Sequence, residues 1–123
     1  MTPLVRIGDL AATIRGVTYE KQEARDHGSA GYSPLLRATN IDSGRLSFHP
    51  LVYVPDGVIK AVQRLCAGDI VLAASSGSLS VVGKAALLRN AWPGTFGAFC
   101  FAVRPNPDYV VPEYLAYFMQ SSA

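Results

Sequence analysis

Cysteine and histidine are scarce in this chain of 123 residues, with two of each. Cys66 and Cys100 stand 34 residues apart with no Cys-x-x-Cys, and His27 and His49 complete no ligand spacing. That pattern argues against a metal site or a structural disulfide and reads as buried free thiols; no cofactor is called for. Charge is thin as well, at 16 % of residues against 50 % hydrophobic, which places the chain on the globular side of the order–disorder boundary. Long apolar runs are missing: they stop after five to eight residues, where a membrane helix needs about eighteen. The first ten residues, MTPLVRIGDL, carry Arg6 and Asp9 and no apolar core, so no signal peptide is expected and the expected location is the cytoplasm. Internal repeats and low-complexity tracts are absent too. The length suits one domain, 1–123, able to bury most of what its unfolded chain exposes.

What is present leans toward an anionic partner. The net charge is +2, and eight of the eleven basic residues are arginine, whose planar fork matches phosphate oxygens and guanine edges. So mild a charge argues against a non-specific coating of nucleic acid. A mean hydropathy of +0.21 is high for a small domain and implies apolar surface that belongs to a partner or to a longer chain.

The chain is organised around residues 68–88. Two apolar runs, 70–74 and 81–88, flank the loop Ser75-Ser76-Gly77-Ser78-Leu79-Ser80, the pattern of two strands displaying a Ser/Gly loop with Lys84 beside it. The loop departs from a P-loop. Gly77 and Gly83 enclose five residues rather than four, Ala85 stands where a Mg²⁺-binding Ser/Thr belongs, and a strand is expected to follow. Upstream, Asp9 can cap a short helix through Leu10, Ala11 and Ile14 that Gly16 ends. Residues 17–32 read as a mobile polar surface segment. Residues 36–40 read as the end of a strand leading into a turn at Asn40, Asp42 and Gly44. Residues 52–54 form a strand stopped by Pro55, and 57–65 a helix capped by Asp56 with Val58, Val62 and Leu65 on one face. Downstream, 98–104 is a strand, and Pro112 and Glu113 open a final helix.

Catalytic signatures are weak. Asn106-Pro107-Asp108-Tyr109 is like the amino-methyltransferase tetrapeptide but lacks its second proline, and no strand-GxG-helix unit precedes it. There is no nucleophile elbow, and Asp9, Asp42, Asp56, Asp69 and Asp108 each sit at a turn or cap. His49 reads as a loop histidine. If 36–40 is extended, Arg37 and Thr39 share one face while Leu36 and Ala38 face the core. Arginine can grip guanine, asparagine adenine, and threonine a base or a thymine methyl; the competing reading makes Arg37 a solvated strand residue and Asn40 a turn former. Lys84 faces solvent or phosphate. Arg45, Arg89 and Arg104 extend a basic face or form a solvated rim. Tyr19, Tyr32 and Phe96 stack on bases or fold onto the core.

Four blocks in order, IGDLAATIRGVTY, LLRATNIDSGRL, LCAGDIVLAASSGSLSVVGKAALL and VVPEYLAYFMQSS, resemble a target recognition domain of the specificity subunit of type I restriction-modification systems. The resemblance implies an α+β unit with a twisted, partly barrel-like β-sheet flanked by short helices, ending in the start of a C-terminal helix. It implies sequence-specific recognition of double-stranded DNA in the major groove, with methylation and cleavage left to partner methyltransferase and restriction subunits reached through a longer parent chain. The expected DNA-binding residues are Arg37, Thr39, Asn40, Arg45, Ser75, Ser76, Ser78, Lys84, Thr95 and Phe96. One departure is that the family usually carries two such domains, each followed by a long helix, so an excised domain or a truncated product is expected. The main alternative is a truncated protein-interaction module that binds restriction-modification subunits through an apolar end at Tyr114, Tyr117 and Phe118 without reading DNA. A small nucleotide-binding enzyme is a second rival.

Overall fold

The computed structural model describes residues 11–74, 82–97, 99–106 and 112–121. In chain order the strands are β1 (Ala11–Arg15), β2 (Tyr32–Leu36), β3 (Ile41–Asp42), β4 (Arg45–Leu46), β5 (Val52–Pro55), β6 (Ile70–Ala74), β7 (Val82–Leu87), β8 (Thr95–Phe96) and β9 (Cys100–Pro105), followed by helix α1 (Pro112–Ser121). Single 3-10 turns lie at Lys21–Glu23, Ala38–Asn40, Asp56–Val58 and Ala61–Gln63.

The unbroken apolar run of β6 has a physical reason. It is an inner strand of an antiparallel sheet in the order β1-β9-β6-β7, and both of its faces are covered. Ile70 and Leu72 join Ala85, Leu87, Val103 and Ala116 of α1 on one face; Val71 joins Ala86, Leu88, Ala102 and Cys100 on the other. Each fully buried aliphatic side chain here contributes about 1.5–3 kcal/mol. On the second face lie Leu36, Ile41 and Phe96, which bring in the rest of the chain. A three-stranded sheet, β5-β2-β8, has β2 antiparallel to β5 and parallel to β8, with its own small core at Val17, Leu35 and Val54. The two-residue hairpin β3–β4 turns at Ser43 and Gly44, with φ of 52° and 78°, a mirror-image turn that matches strand twist.

The two larger sheets meet where the chains at Gly16 and Gly97 cross. Gly16 N–H donates to Cys100 O (3.1 Å) and Val17 N–H to Phe96 O (2.8 Å). A Cβ on Gly16 would overlap the Gly97 carbonyl, so only glycine fits. The described strands form open sheets joined at this crossing, in keeping with the α+β expectation but short of a closed barrel.

Local expectations were overturned in four places. Residues 11–15 form a strand, with Ala11 to Arg15 paired against Pro105 to Phe101; Ala11 and Ile14 suit a helix or a strand equally, and pairing decides. Asp9 lies outside the described residues. Residues 57–65 form two 3-10 turns because their hydrogen-bonding groups are taken by neighbours: Lys60 N–H donates to Gln63 Oε1 (2.9 Å), Gln63 Nε2 to Arg15 O (3.1 Å) and Leu65 N–H to Gly94 O (2.9 Å). Residues 17–32, expected to be mobile, are tied down by paired Arg25–Tyr53 backbone bonds (2.8 Å each) and by Arg25 lying 4.4 Å over the Tyr32 ring. Of the two free thiols expected in the core, Cys100 is buried and Cys66 is exposed.

Candidate nucleic-acid interface

Strand register gathers several distant segments at one end of the fold. Ala73 of β6 pairs with Lys84 of β7 on one side and Cys100 of β9 on the other. The end of β6, the start of β7 and the start of β9 therefore share one edge of the sheet. Leu36 pairs with Phe96, and Gly97 N–H donates to Leu36 O (2.8 Å), which places the chain leaving β2 beside the turn that leads into β9. An open concavity of about 530 Å³ results, lined by Lys21, Arg37, Thr39, Val52, Phe99 and Cys100 among others. Lys84 is exposed and lies two strand spacings from Cys100, about 10 Å across the sheet.

Arg37 and Thr39 thus reach one site, although not as a continuous strand. The strand ends at Leu36, and Ala38–Asn40 forms a 3-10 turn. Arg37 keeps an extended backbone (φ −120°, ψ 172°) and is half-buried. Its Nε is the one buried side-chain nitrogen or oxygen without a hydrogen-bond partner among the described residues. A guanidinium has five N–H donors in a fixed fork, and this one is left unmatched within the fold.

Three expected contact residues are committed elsewhere. Asn40 is 1 % exposed; its Oδ1 accepts from Arg37 N–H (2.9 Å), and its Nδ2 donates to Ser47 O (2.9 Å) and Pro50 O (2.8 Å). It fixes the turn that presents Arg37 and has no donor left for adenine. Thr95 and Phe96 are fully buried in β8, and the Thr95 hydroxyl donates to Gln63 O. Arg45 is exposed but lines a separate concavity of about 620 Å³ with Arg89, Phe48 and Trp92, the two rings 5.1 Å apart. Arg104 leaves the expected basic face altogether. Its Nε and a terminal nitrogen grip the two Asp69 carboxylate oxygens at 2.9 Å each, and that hydrogen bonding raises its pKa. Ser75, Ser76, Ser78 and Asp108 lie outside the described residues, as does the side chain of Phe118.

Sequence reasoning missed Lys21 and Phe99. Lys21 was hidden in a stretch of mixed charge, and Phe99 in an apolar run that reads as strand interior. The faint signal for Phe99 was its place two residues after Gly97, where a turn can project it.

No family model matches the sequence. The chain is 43 % identical over 116 residues to the type I restriction enzyme StySPI specificity subunit of Salmonella potsdam. It is homologous to one quarter of a type I restriction enzyme specificity subunit. The EcoKI specificity subunit of Escherichia coli K12 is 40 % identical over 116 residues, and each alignment takes in 94 % of this chain and 25 % of the specificity subunit. Among solved structures, the HsdS subunit of Thermoanaerobacter tengcongensis matches 94 % of this chain and 26 % of its own, with a TM-score of 0.67 at 16 % identity. A chain from work on complex assembly and conformational transition of the type I R-M system matches with a TM-score of 0.68, again at 16 % identity and over the same shares. These likenesses establish a specificity-subunit fold over almost all of the chain.

Proposed function

We propose that this chain reads a short sequence in double-stranded DNA as a target recognition domain, one module within 1–123, working in the cytoplasm. The observation that carries this reading is the convergence of Arg37, Thr39, Lys21 and Lys84 at one end of the fold. Arg37 is assigned to a base edge, with Thr39 beside it. Lys84 and Lys21 are assigned to phosphates that set the register on the duplex, and Arg45 to a phosphate further along. Ser75, Ser76 and Ser78 are assigned to either. Asn40, Thr95 and Phe96 support the interface from within. Methylation and cleavage are assigned to methyltransferase and restriction subunits engaged through a longer parent chain, and this domain is non-catalytic.

Relatives named for specificity favour this reading over a truncated interaction module. The nucleotide-binding rival is weakened further because Val82–Leu87 is a strand, where a P-loop opens a helix. A module of this size is expected to contact about 600–1,000 Å². Titration of the full chain with a mixed-sequence duplex over a range of salt tests the proposal. Two or three phosphate contacts predict a log–log slope of about −2 to −3; affinity independent of salt would contradict it.

A further inference from the structure

The turn between β8 and β9 carries a side chain that neither core packing nor turn chemistry explains. Cys100 N–H donates to Gly97 O (3.0 Å), closing a tight turn with Phe99 at its corner. Such corners favour Gly, Asn, Asp or Ser. Here a phenyl ring is 89 % exposed while Phe96 and Cys100 are 0 % and 1 %, which makes it the most exposed large hydrophobic residue among those described. It stands at the concavity that Lys21, Arg37 and Thr39 also line.

An apolar ring held out beside two cations suits a surface that is charged along its edges and apolar between them. The major groove has that character: phosphates flank it, and thymine methyl groups line its floor. We propose that Phe99 is a specificity-determining residue whose ring packs on the C5-methyl of a thymine next to the base pair that Arg37 contacts. This rests on the DNA-reading proposal above. The residues on either side are held, Gly97 by its N–H on Leu36 O and Cys100 by its pairing in β9, which fixes where the ring of Phe99 starts from. Groove contact needs no deformation of the duplex, whereas insertion between base pairs needs a kinked one.

The test uses the full chain as wild type, Phe99→Leu and Phe99→Ala, each selected against random duplexes at about 50 mM salt, where phosphate contacts hold best. The wild type should enrich a motif that contains thymine. Phe99→Ala should lose preference at that one position by about threefold to fivefold, the effect of one methyl-sized apolar contact, and keep the rest of the motif. Phe99→Leu should fall between the two. Deoxyuridine at that position, which removes only the methyl, should weaken the wild type by the same factor and leave Phe99→Ala unchanged. An unchanged motif in Phe99→Ala with no deoxyuridine effect overturns the inference, as does a uniform loss on all sequences or a gain on pre-kinked duplexes. Absence of any wild-type motif would instead bring down the DNA-reading proposal itself, so the two failures are told apart by the wild-type arm alone.

Discussion

Arg37 and Lys84 stand at the same end of the fold, and single substitutions separate the duties proposed for them. Arg37→Ala should relax preference at one base pair by about 1–3 kcal/mol, whereas Lys84→Ala should weaken all sequences alike and make the salt slope shallower by about one. The same uniform loss in both variants would contradict the assignment of Arg37. Asn40 belongs to stability. Its removal leaves Arg37 N–H, Ser47 O and Pro50 O without their partner, and Asn40→Ala should cost about 2–4 kcal/mol, since each unsatisfied buried group costs about 1–3. Chemical denaturation measures this. Cys100 offers a check on burial, which pushes its thiol up to about 11 from 9.0. A folded pKa above the unfolded one favours the neutral thiol, so its contribution is complete below pH 9 and is lost as the pH rises through about 11. A thiol reagent at pH 8 should therefore label Cys66 in the native protein and Cys100 only after unfolding. At this scale residue type was a partial guide: Arg37 and Thr39 were legible as a cation and a hydroxyl near a strand end and Lys84 as an exposed cation within a strand, but asparagine serves a turn and a base edge with the same amide. Nothing in the letters Thr95 and Phe96 told a buried β8 from an exposed turn, because burial there is set by pairing with β2.

The link between Asp69 and Arg104 ties β9 to the turn that precedes β6, and Cys66 N–H adds a bond to Asp69 Oδ2 (2.8 Å). Asp69 is 1 % exposed while Arg104 reaches solvent in part. Removing the arginine thus strands a buried charge, whereas removing the carboxylate leaves a cation that water can still meet. Arg104→Met should cost about 3–5 kcal/mol and Asp69→Ala less; urea unfolding of both variants decides, and the reverse order would contradict this account of the pair. Element by element, the β6–β7 pair, β9 and α1 were readable because their apolar runs are long enough to declare themselves. The segments at 11–15 and 57–63 were not. Each is short, its apolar spacing fits more than one structure, and the partners that decide lie far away in the chain: 11–15 pairs with 101–105, and the Gln63 side chain donates to Arg15 O.

On the scale of the whole molecule, an inner strand buried on both faces fixes one end of the sheet, and the Gly16–Gly97 crossing brings the second sheet's turn to that end. The likeness to specificity subunits was legible from the order of four sequence blocks, and the fold agrees with it. That Lys21 and Phe99 join Arg37 and Lys84 there was not legible, because it depends on register between strands that no local pattern specifies. We propose that this end of the molecule reads DNA sequence on its own. Its most direct test is retention of random duplexes by the full chain at about 50 mM salt, followed by sequencing of the bound fraction. The bound fraction should be enriched in a motif a few contiguous base pairs long that weakens at one position in Arg37→Ala; retention without enrichment, or no retention, would contradict DNA reading by this chain.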